Sequence, residues 1–358
     1  MFPPSFVTEN LERHTKVGDI VLDPFSGRGT TLLEALLHGR FALAGDINPV
    51  AYCVSAAKAS RPLLDRIHDQ LDHLEESYYR ASVGALEVER QALPPFFHKA
   101  FARETLRQLL FLRHRLDWRH AAEHQFIAAL TLGHLHGESL RSPSYCSNQM
   151  PHSISTKPQY SLKYWREHRL RAPERDVFEL LRDRAEYRLR EGIPEPRGRV
   201  CLVDVRHAAG RFRSFAGSVT SVITSPPYLD ITRFEEDQWL RLWFLGGPPR
   251  PTYHLVSKDD RYERAESYWK FLEESWRGIA PLLHKPATLV CRLGVGRLLV
   301  DAVIAAFTAS VRTVWPKAEL ISEPAVTTLH RRQTSVLHPD SVGARYEVDL
   351  TLSVRAPA

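Results

Sequence analysis

The sequence predicts an α/β protein in which a doubly wound, mostly parallel sheet of seven strands carries a mostly helical insertion. Short apolar runs that end in polar turns occur near both ends of the chain and predict buried strands. A glycine-rich turn joins the first of these runs to an apolar helix, as in the first unit of a doubly wound sheet. Between these two groups of predicted strands, leucines recur at helical spacing, which predicts a helical insertion. The sheet is expected to comprise residues 1–60 and 199–358, and the insertion residues 61–198.

Composition places the chain among ordinary globular proteins, with 43% hydrophobic and 25% charged residues among 358. The net charge of +6 permits a polyanionic partner without requiring one. No apolar run approaches the roughly 20 residues that cross a bilayer, and the amino terminus lacks the pattern of a signal peptide. Four scattered cysteines suit a reducing compartment. These observations predict a cytoplasmic protein that does not contact a membrane.

The first strand and turn predict a nucleotide-type site. Ile20 to Asp23 reads as a buried strand and runs into the turn 24–31, where Gly27 and Gly29 let the backbone approach a ligand closely. A second strand, from Phe41 to Ala44, leads to Asp46. In such folds an acid at this place hydrogen-bonds ribose hydroxyls.

The ligand of this turn is expected to be a nucleoside that carries an amino acid. The turn lacks the Lys-Ser/Thr ending of a phosphate-binding loop, which disfavours a nucleoside triphosphate. Asp23 would repel a pyrophosphate but can bind an ammonium group. The alternative is a glycine turn without a ligand.

A second motif follows the apolar run from Val219 to Ile223, in the segment Thr224-Ser225-Pro226-Pro227-Tyr228. The two prolines end the strand and fix an extended turn. The Ser225 hydroxyl and the Pro226 carbonyl are two acceptors that match the two N–H donors of an exocyclic amine. The Tyr228 ring can stack on the base that bears this amine. Taken alone, the segment could also be a simple turn.

Together the two motifs resemble the S-adenosylmethionine-dependent DNA amino-methyltransferases. Asp23-Pro24-Phe25-Ser26-Gly27-Arg28-Gly29-Thr30 is similar to their cofactor loop, and Thr224 to Tyr228 is similar to their catalytic motif. In that family a serine before the prolines is typical of cytosine-N4 enzymes, whereas aspartate or asparagine is typical of adenine-N6 enzymes. The resemblance covers about residues 1–60 and 199–355.

The resemblance implies a Rossmann-like methyltransferase sheet, S-adenosylmethionine as cofactor, and double-stranded DNA with a flipped target base as partner. It leaves open a cognate restriction enzyme and the oligomeric state. Asp204, at the end of the predicted strand 200–204, resembles the acceptor of the cofactor's adenine amine; the alternative is a plain acid at the end of a strand. The implied cofactor residues are Asp23, Pro24, Phe25, Gly27, Gly29, Thr30, Asp46, Ile47 and Asp204. The implied catalytic residues are Ser225, Pro226, Pro227 and Tyr228.

The insertion contains a basic and aromatic stretch, residues 141–171, that we interpret as a segment for target recognition. Basic side chains neutralise phosphates, and the Asn and Gln side chains among them can read base edges. A solvated basic loop is the alternative. The predicted DNA contacts are Lys157, Lys163, Arg166, Arg169 and Arg171, together with Arg233 after the proline motif. His134 and His136 are expected to be structural, and we predict no metal site.

Beyond the proline motif, the sequence predicts a helix near Trp239–Phe244 that packs on the core, and another from Tyr268 to Leu283. A strand is expected over 287–293, a helix over 298–309 and a closing antiparallel strand over 346–354.

Four other functions remain open from the sequence: adenine-N6 methylation, RNA methylation, methylation of a protein amide, and a non-catalytic module that binds cofactor or DNA. Cytosine-C5 methylation is disfavoured, because it needs a thiolate, normally from a Pro-Cys pair, and the chain has no such pair.

Overall fold

The computed structural model describes residues 2–60, 62–81, 83–137, 145–148, 157–190, 198–229, 234–252, 265–296, 298–329 and 344–355. The chain divides into two compact units. The first, here the sheet unit, comprises Met1–Ala59, Pro194–Thr232 and Lys258–Ala358. The second, the helical unit, comprises Ser60–Ile193 and also Arg233–Ser257, a segment that was predicted to belong to the sheet.

The strands of the described residues are β1 (Ile20–Asp23), β2 (Phe41–Asp46), β3 (Gly198–Leu202), β4 (Val219–Thr224), β5 (Leu283–Val295), β6 (Glu319–Leu320), β7 (Ala325–Thr328) and β8 (Tyr346–Val354). The helices are α1 (Pro4–His14), α2 (Thr30–Leu37), α3 (Pro49–Ser60), α4 (Leu64–Arg80), α5 (Val83–Ala92), α6 (Pro95–Ala100), α7 (Arg103–Arg115), α8 (Ala122–His134), α9 (Pro158–Glu167), α10 (Val177–Leu189), α11 (Ala208–Arg211), α12 (Phe234–Phe244), α13 (Ala265–Ile279) and α14 (Val300–Arg312).

The strands form one doubly wound sheet in the order β3-β2-β1-β4-β5-β8-β6, with β7 also paired to β8. The first five strands of this order are parallel, whereas β8 is antiparallel to β5, as predicted. The sheet has eight described strands where seven were predicted. The additional strand arises because β6 and β7 lie end to end along the same edge of β8, so that the sheet remains seven positions wide.

Alternating side chains of the central strands enter two cores, one on each face of the sheet. Val21, Ile223 and Val290 point to one face, where α1 and α2 pack. Their neighbours Leu22 and Val222 point to the other face, which α13 and α14 cover. Because a strand alternates with period two, continuous apolar runs are required when both faces are buried. This explains why the strands read as unbroken hydrophobic segments.

The helical unit is built from the predicted leucine stripes. Ile67, Leu71 and Leu74 of α4 are buried, as are the leucines of α7, whereas Leu63 lies before α4 and is exposed. Trp239 and Trp243 of α12 pack against Phe97 of α6, within 5.8 and 4.5 Å between ring centroids. Helix α12 therefore packs on a core, as predicted, and this core is that of the helical unit.

Several predicted boundaries in the sheet unit are wrong. The strand predicted over 200–204 is β3, which ends at Leu202, so Asp204 lies beyond it. The helix expected over Tyr268–Leu283 ends at Ile279 and is followed by a 3-10 turn, Ala280–Leu282. Pro281 lies in this turn, and a proline lacks the N–H that would continue an α-helix. Strand β5 therefore begins at Leu283 and is longer than the predicted 287–293. Among the described residues, no helix combines the length and hydrophobicity needed to cross a membrane.

Candidate active site

The carboxyl ends of the parallel strands bring both sequence motifs to one edge of the sheet. Asp23 ends β1 and Asp46 ends β2, while Ser225 follows the end of β4. Leu22 pairs with both Leu43 of β2 and Val222 of β4, so these strand ends are level. Asp204 follows β3 at the same edge, because Asp46 pairs with Leu202. Ligands of open α/β sheets bind at this edge.

The glycine loop, residues 24–29, joins β1 to α2. Gly27 and Gly29 have φ values of 50° and 69°, in the left-handed region that glycine adopts without strain. A Cβ atom at Gly29 would lie 2.7 Å from Ser55 Oγ, so this glycine also provides room for α3. The Ser55 hydroxyl donates to the Gly27 carbonyl at 3.2 Å, and Lys58 Nζ donates to the Arg28 carbonyl at 2.5 Å. Helix α3 therefore contacts the glycine loop and holds its backbone in place through these two hydrogen bonds.

Asp46 closes the loop from the neighbouring strand. Its Oδ2 accepts a hydrogen bond from the Gly27 amide at 2.8 Å, and its Oδ1 accepts one from the Asn48 amide at 2.9 Å. Burial raises the pKa of Asp46 to about 6, although these hydrogen bonds act in the opposite direction. The next side chain, Ile47, is 61% exposed. The same turn thus presents a carboxylate and an accessible apolar side chain.

Asp23 connects the glycine loop with the proline corner, residues 224–228. Its Oδ1 accepts hydrogen bonds from Thr224 Oγ1 at 2.6 Å and from the Phe25 amide at 3.1 Å. Thr31 Oγ1 donates to the Ile223 carbonyl at 3.1 Å and forms a second connection. Burial raises the pKa of Asp23 to about 6, because water cannot solvate its charge. The two motifs, far apart in sequence, therefore form one hydrogen-bonded structure.

These residues fit S-adenosylmethionine. Burial disfavours the ionised form of the Asp23 carboxylate, and an ammonium group beside it would stabilise that form. Asp46 retains carboxylate lone pairs for ribose hydroxyls, since a carboxylate accepts about four hydrogen bonds. Ile47 offers an apolar surface for a purine ring. The donor set thus matches the amino-acid, sugar and base parts of the cofactor.

The remaining residues that the sequence assigned to the cofactor differ in their burial and contacts. Pro24 is buried, Thr30 begins α2 and is half-buried, and the Phe25 ring packs edge-on against Phe271 at 5.8 Å. The Asp204 carboxylate accepts hydrogen bonds from the Arg206 amide and guanidinium, at 2.6 to 3.1 Å. Arg206 therefore occupies part of the acceptor capacity that the sequence assigned to an adenine amine.

A side chain of β8 contacts the proline corner at Tyr228. Pro226 is buried, while Ser225, Pro227 and Tyr228 are half-buried. The Tyr228 hydroxyl donates to Glu347 Oε1 at 3.0 Å. Burial and the negative charge of Glu347 raise the pKa of Tyr228 above its usual range, while a hydrogen bond with Ser225 acts in the opposite direction. Tyr228 is therefore a neutral phenol at physiological pH.

An ion-pair network lies behind this corner. Arg292 Nη1 lies 3.3 Å from Glu347 Oε2, and the Arg292 guanidinium binds Asp349 through two contacts of 2.6 Å. Its Cζ lies 4.0 Å from the centre of the Phe6 ring. None of this network was predicted from the sequence, and neither were the loop-supporting residues of α3. The signal for this network was charge inside apolar strands, with Arg292 in β5 and both Glu347 and Asp349 in β8.

The predicted DNA-binding residues lie on and around α9. Trp165 is buried against Phe96, and this contact orients the helix within its unit. Tyr160, Tyr164 and His168 form a stacked row, with ring centroids 6.5 and 4.1 Å apart. The cations Lys163, Arg166, Arg169 and Arg171 are exposed, and Lys157 directly precedes the helix. Lys163 lies 3.9 Å from Glu167, and Arg169 has a φ of 51°. Arg233 lies outside the described residues, as do 141–144 and 149–156 of the basic stretch.

His134 contacts the start of the basic stretch, with its ring centroid 6.2 Å from that of Tyr145. Burial lowers the pKa of His136 to about 3, so it is neutral. Within the described ranges no group of three or more His, Cys, Asp or Glu side chains could hold a metal ion.

Sequence comparisons with known proteins match one segment of this chain. Residues 1–57 match the family model described as DNA methylase. The Type II methyltransferase M.MjaII of Methanocaldococcus jannaschii is 38% identical over 60 residues, which cover 17% of this chain and 11% of that protein. The chain therefore spans about a tenth of the length of this relative. The matched segment of the family model contains the glycine loop and Asp46.

Solved structures with overall similarity are more distant. The rRNA methyltransferase aviRa from Streptomyces viridochromogenes aligns with a TM-score of 0.33 and 12% identity, over 98% of this chain and 85% of its own. SMU.776, complexed with SAH, aligns with a TM-score of 0.36 and 10% identity, over 99% of this chain and 50% of its own. Likenesses this weak do not indicate a substrate.

Proposed function

We propose that the protein is an S-adenosylmethionine-dependent DNA methyltransferase that transfers a methyl group to the exocyclic N4 amine of cytosine. The hydrogen bond between Thr224 and Asp23 carries this proposal, because it joins the glycine loop to the proline corner at one sheet edge. The match of residues 1–57 to a DNA methylase model supports the same reaction class.

The bound cofactor supplies an electrophilic methyl group on its sulfonium. The amine to be methylated is a poor nucleophile, because its lone pair is delocalised into the base. Ser225 Oγ and the Pro226 carbonyl accept its two N–H groups and thereby direct its lone pair toward the methyl group. Such orientation is a main source of rate enhancement in a transfer between two bound reactants. Ser225 acts here as a hydrogen-bond acceptor and forms no covalent bond.

The target amine is inaccessible inside a duplex, so the base must leave the helix before it reacts. Tyr228 provides the aromatic surface on which the extruded base stacks. The choice of cytosine rests on the serine at the first position of the corner. The same geometry with adenine would make the protein an N6-methyltransferase, and the identity of the methylated nucleoside distinguishes the two.

The DNA is expected to contact the helical unit through the cations around α9. Exposed lysine and arginine side chains neutralise phosphates, and the adjacent row of Tyr160, Tyr164 and His168 can contact splayed bases or sugar edges. We therefore assign target recognition to this unit, together with Arg233.

The test compares turnover with cofactor binding in the variant Ser225→Ala. We expect methyl transfer to unmodified DNA to fall by a factor on the order of 100 or more, while the Kd for S-adenosylhomocysteine changes less than about threefold. Ser218→Ala changes a half-buried serine just before β4; it is the matched control and should retain wild-type turnover. A wild-type protein that binds the cofactor but methylates neither DNA nor RNA would contradict the proposal.

A further inference from the structure

We infer that Gly294 and Glu347 are positioning residues that hold the Tyr228 ring as a stacking surface with a single accessible face. This inference rests on the proposed function and adds two residues to its machinery. Gly294 belongs to β5 and Glu347 to β8, and neither is part of the proline corner.

The Tyr228 ring packs against the backbone of β5 at Gly294. A Cβ atom at this position would lie 2.1 Å from Tyr228 Cδ2, 2.3 Å from Cε2 and 2.5 Å from Cγ. Distances this short to three consecutive ring atoms place that atom over the face of the ring, since an atom beside the edge would lie farther from the two flanking carbons. One face of Tyr228 therefore lies directly on the strand, and the opposite face points away from it.

The glycine is required for space and not for backbone conformation. Gly294 does not belong to the residues with positive φ, so its backbone is accessible to any amino acid. A glycine inside a strand weakens the strand and commonly marks a place where another group approaches closely. At Gly294 the group that approaches closely is the ring of Tyr228, in the proline corner.

Glu347 fixes the far end of the ring. In the antiparallel pairing of β5 with β8, Gly294 lies directly opposite Glu347. Opposed residues have Cα atoms about 5 Å apart, so a tyrosine ring above one of them can reach the side chain of the other. The Tyr228 hydroxyl donates to Glu347 Oε1 at 3.0 Å, which stops rotation of the ring away from the strand.

Glu347 is itself held in place. Arg292 contacts its other oxygen, Oε2, at 3.3 Å, and Arg292 is fixed in turn by two contacts of 2.6 Å with Asp349. The acceptor for the tyrosine hydroxyl therefore has a defined orientation before any substrate binds. A preformed ring needs less ordering when a base stacks on it, which favours the reactive complex.

The experiment measures kcat, the KM for unmodified DNA and the Kd for S-adenosylhomocysteine in Gly294→Ala, Tyr228→Ala and the double variant. Gly294→Ala should displace the ring and lower kcat/KM by about 10- to 100-fold, the range expected for loss of one base–aromatic stack. The Kd for S-adenosylhomocysteine should stay within about twofold. Gly210→Ala is the matched control, because an added Cβ there meets nothing within 4 Å, and it should behave as wild type.

The double variant separates positioning from general damage. In the Tyr228→Ala background there is no ring to displace, so Gly294→Ala should cause no further loss of turnover. Equal losses in the two backgrounds would overturn the inference, as would wild-type turnover in Gly294→Ala.

A second pair keeps the test decisive if Gly294→Ala does not fold. Tyr228→Phe and Glu347→Ala remove the same hydrogen bond from opposite ends. Each should lower kcat/KM, and Glu347→Ala should lower it less in the Tyr228→Phe background than in the wild type. Glu347→Gln, which keeps an acceptor oxygen, should restore most of the activity. Additive losses, or no rescue by Glu347→Gln, would overturn the role of Glu347. A wild-type protein without turnover on any nucleic acid would instead refute the proposed function, and the inference with it.

Discussion

The Asp23 carboxylate is buried, where water cannot solvate its charge. The free-energy cost of ionising it there is the strongest indication that this single residue has a function. Burial raises its pKa from 3.8 to about 6, which corresponds to roughly 3 kcal/mol against the ionised form. Perturbed carboxylates of this kind concentrate at functional sites. A ligand ammonium group at Asp23 would offset the cost, which makes ligand affinity sensitive to pH.

We expect the affinity for S-adenosylhomocysteine to fall as the pH is lowered through about 6. Above this pH Asp23 is ionised and would bind the ammonium group, whereas below this pH Asp23 would have to lose a proton before it binds. Affinity should therefore be nearly constant from pH 7 to 8 and decrease below pH 6, with Asp23 alone contributing up to about tenfold per pH unit. Titration calorimetry from pH 5 to 8 measures this dependence.

Asp46, whose pKa is also raised to about 6, would contribute to the same dependence through ribose, so two controls separate the residues. Asp23→Asn should weaken binding at pH 7, and the pH dependence that remains in this variant should be the contribution of Asp46 alone. Methylthioadenosine, which lacks the amino-acid portion, should show the same pH dependence in wild type and Asp23→Asn. Equal pH profiles of the two proteins with S-adenosylhomocysteine would show that Asp23 does not hold the ammonium group.

At the scale of elements, the glycine loop is shaped both by its own conformation and by α3. Gly29→Ala would impose a left-handed φ of 69° on alanine and place its Cβ 2.7 Å from Ser55 Oγ. Gly217→Ala imposes a similar φ of 66° with nothing within 4 Å of the added atom. Comparing the two substitutions isolates the contact with α3 from the backbone strain.

We expect Gly217→Ala to lower the free energy of unfolding by about 1–2 kcal/mol, the cost of the left-handed conformation alone. Gly29→Ala should lower it further and also weaken binding of S-adenosylhomocysteine, because the loop must move away from Ser55. Urea unfolding and calorimetry provide the two measurements. If Gly29→Ala bound the cofactor analogue as tightly as Gly217→Ala, the loop would not form the cofactor site.

Helix α9 provides the element-scale test of DNA binding. We expect the triple variant of Lys163, Arg166 and Arg169 to Ala to reduce DNA affinity. The slope of log K against log salt should become shallower by up to about 3, since each phosphate that is no longer neutralised changes it by about 0.9. The control replaces Arg66, Arg80 and Arg115, three exposed cations on other elements of the same unit. An equal loss of affinity in both triple variants would point to general charge and not to a specific surface.

For the molecule as a whole, the sequence was sufficient to predict which residues lie together at the carboxyl edge of the sheet. Apolar runs ending at Asp23, Asp46 and Thr224 mark the carboxyl ends of parallel strands, and parallel pairing necessarily brings these ends to one edge. The doubly wound fold was predictable because apolar runs mark strands that are buried on both faces, whereas the antiparallel closing strand was predictable from the alternation of its side chains.

What could not be predicted depends on pairing between distant segments. The contact of Tyr228 with Gly294 and Glu347 requires the register of β5 against β8, which no local pattern specifies. The assignment of α12 to the helical unit likewise follows from the packing of Trp239 and Trp243 on Phe97, whereas its sequence only indicates an apolar helix. The length of β5 was underestimated because its first residues are largely exposed.

The central claim, that the proline corner methylates cytosine N4 in DNA, is tested most directly by mass spectrometry of nucleosides. DNA from cells that express the wild type, Ser225→Ala or the control Ser218→Ala is digested and analysed for modified bases. We predict N4-methylcytosine with the wild type and with Ser218→Ala, and none with Ser225→Ala. N6-methyladenine in its place would retain the mechanism and overturn the base, whereas DNA and RNA free of new methylated bases would contradict the claim as a whole.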